Sequence, residues 1–150
     1  MSSRINYQKV APELFKGLYE TERLLADCGL EKPLLELVKT RDSQINKCAY
    51  CLDMHSKDAL KAGETFQRLI SLDAWREAPY YSERERAALE WTEAVTQIAT
   101  HDVSDEIYSK VKAQFTDKEM VALTLSVIAI NSWNRLAIPF RTEAGTYQPK

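Results

Sequence analysis

Along the chain, apolar residues recur at helical spacing between polar or glycine stops. From Ala11 to Ala26, Leu14, Phe15, Leu18, Leu24 and Leu25 keep that spacing, Pro12 suits a first turn and Gly29 reads as the stop. Cys28 then reads as a small residue packed at a helix end. A second helix is predicted from about Glu31 to Arg41, with Pro33 in its first turn and Leu34, Leu37 and Val38 on one side. Glu36 lies nearly opposite that stripe. It is a solvated carboxylate by this pattern, and becomes a buried acid with a raised pKa only if the helix is covered on both sides.

A third helix is expected over about Asn46 to Ala62, with Asn46 as N-cap and Gly63 closing it. Thr65 opens a short helical stretch through Leu69, Ile70 and Leu72 that ends before Pro79, and Tyr80 and Tyr81 read as packing. Ser82 and Glu85 form a capping box ahead of Ala87, Ala88, Leu89, Trp91, Val95 and Ile98, a long amphipathic helix reaching about Thr100. His101 follows as an exposed residue in a connection. Ser104 caps a helix reaching Phe115, and Thr116 with Glu119 opens the last long helix. There Met120, Leu123, Val127 and Ile128 are core positions, and Asn131 and Arg135 stand one turn apart, within hydrogen-bonding reach. Pro139 ends this helix, and the residues after Arg141 read as a frayed tail. No strand pattern, repeat or linker interrupts the series. The expected fold is all-α, a single-domain helical bundle of six or seven helices.

Composition narrows the setting. A chain of 150 residues can bury roughly two thirds of its unfolded surface, and 4 Gly and 5 Pro suit an ordered helical protein. Twenty basic residues against 22 acidic ones give a net charge of -2 and no electrostatic reason to expect nucleic acid or an anionic membrane as partner. Residues Met1 to Lys9 lack the apolar core of a secretory signal. The longest apolar run, Met120 to Ile130, contains Thr124 and Ser126 and falls short of the ~20 residues that span a bilayer. A cytoplasmic location is the expectation.

Chemistry concentrates in Cys48-Ala49-Tyr50-Cys51-Leu52-Asp53-Met54-His55. On a helix, offsets of three, four and seven put Cys48, Cys51 and His55 on one face. Near a helix start the dipole and free N–H groups stabilise a thiolate, which favours Cys48 as the more acidic thiol, while His55, one turn from Cys51, can carry its proton. Three readings fit these residues: a dithiol that cycles to a disulfide, a zinc site of Cys48, Cys51 and His55 with Glu36, water or a neighbouring subunit supplying the fourth ligand, or cysteines packed as small apolar residues. The zinc reading lacks the second ligand pair that structural sites usually draw from a separate segment.

The pattern Glu36-x11-Cys48-x2-Cys51-x3-His55, with Ser43 to Cys51 and Asn131-Ser132-Trp133-Asn134-Arg135, resembles the alkylhydroperoxidase D-like (AhpD-like) branch of the carboxymuconolactone decarboxylase superfamily. The resemblance covers roughly residues 10 to 140 of one domain spanning 1–150. It implies an AhpD-like all-α fold, assembly into homo-oligomers, and a thiol-dependent peroxidase or disulfide oxidoreductase of antioxidant defence. By that resemblance Cys51 attacks the peroxide, Cys48 resolves the intermediate, and His55 with Glu36 relays protons. No bound cofactor is implied; an external dithiol donor, lipoyl-bearing or thioredoxin-like, or a peroxiredoxin would complete the cycle. Some relatives place a histidine immediately before the second cysteine, where this chain has Tyr50. The decarboxylase members lack the cysteine pair, so the lactone reaction is not implied. A redox adaptor or sensor without turnover, and a zinc-stabilised interaction module, stand as alternatives.

Overall fold

The computed structural model describes residues 3–149, so Met1 and Ser2 of the N-terminal stretch read above, and Lys150, lie outside the described residues. Among the described residues there are eight α-helices and no strands. They are α1 (Tyr7–Val10), α2 (Lys16–Ala26), α3 (Lys32–Asn46), α4 (Ala49–Lys61), α5 (Phe66–Ile70), α6 (Glu83–Thr96), α7 (Asp105–Lys112) and α8 (Asp117–Phe140), with 3-10 turns at Pro12–Phe15 and Leu72–Ala74. The all-α expectation holds, with α1 as the helix the apolar pattern did not mark. Four residues are too few to show a period. The helix rests instead on an Asn6 side-chain cap and on Tyr7, whose ring packs against Phe15 and Phe140 at 5.3 and 5.5 Å.

Helix α3 is the axis of the bundle, packed against α4, α6 and α8. Leu34, Leu35 and Val38 join Ala88, Trp91, Val111, Phe115, Leu123 and Val127 in the main core, with Cys28 packed at its edge. Leu37 faces a second cluster with Leu72, Trp75, Tyr81 and Leu89. The helix runs to Asn46, five residues past its expected end at Arg41. Its last turns look like loop in sequence, but their polar groups are paired in the interior: Arg41 with Glu93, and Asp42 with Thr96 and Asn131. Partners across the bundle replace the apolar stripe that marks a helix in sequence.

The α3–α4 junction corrects the expected start of α4. Asn46 ends α3, Lys47 takes a left-handed conformation (φ 59°), and the N–H groups of Lys47 and Cys48 close back on the carbonyls of Gln44 and Ser43. Cys48 is therefore the N-cap of α4 itself, not a first-turn residue. At the far end Gly63 (φ +98°) closes α4 as expected, because only a residue without Cβ adopts that turn cheaply.

Helix α6 stops at Thr96, which leaves Ile98 exposed beyond it, and His101 is exposed as expected. Helix α8 continues through Pro139 to Phe140, and Arg4 takes the carbonyls of both residues. With 24 residues and a mean hydropathy of 1.3 over its best window, α8 is the one described helix long and apolar enough to cross a membrane. It lies along the core, and it carries the buried Ser126 and Asn134. Two expectations about exposure fail. Ile128 is 50% exposed, and the outer row it forms with Val121 and Leu125 faces away from Leu123, Val127 and Ile130; Leu14 and Leu24 of the first stripe are also exposed. The tail after Arg141 is not frayed, because it lies back along α4.

Candidate active site

Cys48 and Cys51 are reduced and buried, packed with Ile130 and Ala137 of α8. The Cys48 sulfur does what a capping oxygen does elsewhere, accepting the Cys51 N–H at 3.4 Å. The neighbouring Cys51 S–H and Tyr50 N–H add to its stabilisation of charge. These donors hold the Cys48 thiol below its ordinary value, the Cys51 S–H contributing most. Cys51 moves the other way: its proton is held against Cys48, and burial with the neighbouring Cys48 charge opposes a second thiolate. The Asn134 amide works in the opposite sense, favouring ionised Cys51. The first proton leaves Cys48, in keeping with its place at the head of the helix.

Glu36 is not a surface carboxylate. Helix α4 covers its side of α3, and its Oε2 lies 2.9 Å from Nδ1 of the buried His55. An ionised carboxylate can only accept, so it fixes the proton on Nδ1 and leaves Nε2 as the basic nitrogen. Of the predicted residues, the structure therefore joins Cys48 to Cys51 and Glu36 to His55. The two pairs meet at a cavity of about 420 Å³ whose wall includes both Cys51 and His55. Cys48 borders a different depression, beside Lys47 and Arg141.

Around His55, Glu36 and Asp58 place potential metal donors within 4.8 Å of one another, and no cysteine sulfur belongs to that group among the described residues. The geometry does not assemble the Cys48, Cys51 and His55 ligand set. The carboxylates near His55 have internal partners, since Asp58 accepts the Tyr147 hydroxyl and Glu36 faces the imidazole.

Sequence reasoning missed a polar network beneath the thiols. Asn134, wholly buried, accepts from Asn46 Nδ2 at 2.9 Å and donates to Ser43 Oγ at 3.3 Å. Asn46 also reaches Asp42 and Asn131, each at 3.1 Å, so its two N–H bonds serve three acceptors. Arg135 bonds Asn131, the pairing their spacing predicts. The available signal was polar residues in an otherwise apolar helix. Trp133, Tyr50 and Tyr147 also line the cavity; Tyr50 stands where some relatives have a histidine, and Tyr147 belongs to the segment that reads as a tail in sequence.

Asp42, fully buried in this network, has its pKa raised to about 6, because burial outweighs the bonds from Thr96 and Asn46. Its folded value lies above its unfolded one, so its contribution to stability is present below about pH 4 and lost as pH rises through 6. That amounts to ~3 kcal/mol at most. Urea unfolding between pH 4 and 7 is expected to show this decline in the wild type and a flatter profile in Asp42→Asn; equal slopes would contradict it.

A helical bundle holding a buried, reduced Cys-x-x-Cys pair beside a Glu–His couple defines the class. The chain belongs to the carboxymuconolactone decarboxylase family, whose model matches residues 12–94, and its relatives place it in the AhpD-like branch. It is 41% identical to the uncharacterized protein YdfG of Bacillus subtilis (strain 168) over 97% of this chain and 99% of that one. A crystal structure of a protein of unknown function from Agrobacterium tumefaciens, provisionally described as antioxidant defence protein AhpD, superposes with a TM-score of 0.93 at 41% identity, covering 97% of this chain and 100% of that one. An uncharacterized peroxidase-related protein from Ralstonia eutropha JMP134, described as an alkylhydroperoxidase AhpD core, matches at TM-score 0.79 and 21% identity over 90% and 72% of the two chains, a likeness of fold alone.

Proposed function

We propose that the protein is a thiol-dependent peroxidase of antioxidant defence, with Cys51 as attacking thiol, Cys48 as resolving thiol, and His55 and Glu36 as proton relay. The observation that carries this reading is that Cys51 and His55 share one cavity while Cys48 is the acidic partner behind them. Removal of the Cys51 proton by the neighbouring Cys48 sulfur or the His55 imidazole leaves a Cys51 thiolate facing the cavity. Its sulfur attacks the terminal peroxide oxygen, the O–O bond breaks, and the alkoxide takes a proton relayed through the His55 imidazole. Cys51 is left as a sulfenic acid. Cys48 then attacks that sulfur, a disulfide forms and water leaves. An external dithiol, on a lipoyl-bearing or thioredoxin-like protein, supplies the two electrons that restore both thiols.

The exposed row Val121, Leu125 and Ile128 supports the proposal that copies of the chain associate. For the relay, His55→Gln is expected to lower kcat/KM for an organic hydroperoxide by ~10² or more. Glu36→Gln, which leaves the imidazole in place but loosens its tautomer, should lower it less. Wild-type rates in both variants would remove the relay.

A further inference from the structure

We propose that Tyr147 is the residue through which this site selects its substrate, favouring a hydroperoxide with an aromatic or bulky apolar group over hydrogen peroxide. The inference rests on the peroxidase reading and adds to it a residue outside the Cys-x-x-Cys motif. Residues 142–149 turn back along α4 and are fastened to it at successive points. The Gly145 N–H bonds Asp53 Oδ2 at 3.0 Å, Lys57 Nζ bonds the Tyr147 carbonyl at 3.0 Å, and the Tyr147 hydroxyl lies 2.8 and 3.0 Å from the two Asp58 oxygens. Lys57 is itself paired with Asp53 at 2.8 Å. Gly145 (φ +97°) makes the turn that lets the segment lie down.

This course puts the Tyr147 ring in the wall of the Cys51 cavity, with Tyr7, Tyr19, Tyr50, Met54 and Trp133. The polar tips of several of these side chains are already hydrogen-bonded, to Gln8 and Glu22 of the same wall or to Asp58. The Trp133 indole N–H bonds Glu22 at 3.1 Å, Gln8 bonds the Tyr19 hydroxyl at 2.8 Å, and Tyr147 bonds Asp58. With their polar tips paired in this way, these aromatic side chains make a wall that suits an apolar or aromatic group. The volume of about 420 Å³ lies in the range of small-molecule pockets, whereas hydrogen peroxide needs little more than the ~30 Å³ share of a single water. Tyr147 is the wall residue brought in by the C-terminal segment, so it can be altered without disturbing a helix.

The test compares kcat/KM for cumene hydroperoxide and hydrogen peroxide with dihydrolipoamide as reductant, in the full chain and in Tyr147→Phe and Tyr147→Ala. In parallel, alkylation of reduced Cys51 by N-phenylmaleimide and by iodoacetamide is followed by peptide mass, and circular dichroism checks that each variant is folded. Tyr147→Ala is expected to lower the cumene-to-hydrogen peroxide ratio about tenfold, chiefly through KM, and to lower the phenylmaleimide-to-iodoacetamide ratio in the same direction. Tyr147→Phe, which keeps the ring and loses the Asp58 bond, should stay within about threefold of the wild type. Ratios in Tyr147→Ala that are unchanged within twofold, or that rise, would overturn the proposal. A wild-type chain that turns over neither peroxide would remove the peroxidase reading, and the labelling ratio would then decide alone whether Tyr147 governs what reaches Cys51.

Discussion

Cys51→Ser is expected to lower hydroperoxide turnover by roughly 10⁴ or more, because a serine hydroxyl does not ionise near neutral pH and no other thiol lines the cavity. Cys48→Ser should behave differently. Cys51 keeps its place beside His55 and can still react once, but its sulfenic acid finds no resolving thiol and persists as a single added oxygen on the Cys51 peptide. The pair of variants also separates two influences that pull apart at this site. Acidity favours Cys48, which caps α4 and gathers the Cys51 S–H and two backbone N–H groups. Access favours Cys51, which meets the cavity and the imidazole. Peroxide must reach a sulfur before that sulfur can attack, so in the proposed cycle access sets the order. Stable oxidation on Cys48 in the Cys51→Ser protein, at the wild-type rate, would reverse the assignment.

Asn134→Ala is expected to cost about 2–4 kcal/mol of stability and to slow Cys51 alkylation as well. The side chain is wholly buried and bonded to Asn46 and Ser43, so truncation strands polar groups that water cannot reach. Asn46 in turn steadies Asp42 and Asn131, so the loss spreads to both ends of the α3–α8 contact. Because the Asn134 amide favours the ionised form of Cys51, its removal shifts the apparent pKa of the thiol pair upward. Urea unfolding reads the first effect, and the pH dependence of iodoacetamide labelling reads the second. A variant of full stability with an unchanged labelling profile would contradict both.

The helices and the site were legible to different degrees, for physical reasons. Capping boxes at Ser82 and Thr116 depend on neighbours in sequence, and both are formed. The junction at Lys47 was hidden because the left-handed position is held by a lysine where a glycine would have announced it. Helix α8 is apolar almost all round. Its rows Val121, Leu125, Ile128 and Leu123, Val127, Ile130 have similar spacing, and nothing in the pattern tells which faces α3; Ile128 was placed in the wrong one. In the site, offsets along one helix suffice to group Cys48, Cys51 and His55. The Glu36–His55 contact requires α3 to pack on α4, so local amphipathicity pointed the other way and the family pattern was the better guide. Asn46 and Asn134 come from distant segments, as do Tyr147 and Cys51, so that the asparagine pair and the placing of Tyr147 in the Cys51 cavity follow from tertiary packing alone.

The most direct test of the peroxidase account is a thiol count by alkylation and intact mass on reduced, chelator-treated protein, before and after one equivalent of an organic hydroperoxide. The account predicts that two of the three thiols are lost and that peptide mapping finds Cys48 joined to Cys51, with Cys28 still free. Survival of all three thiols under those conditions would contradict it.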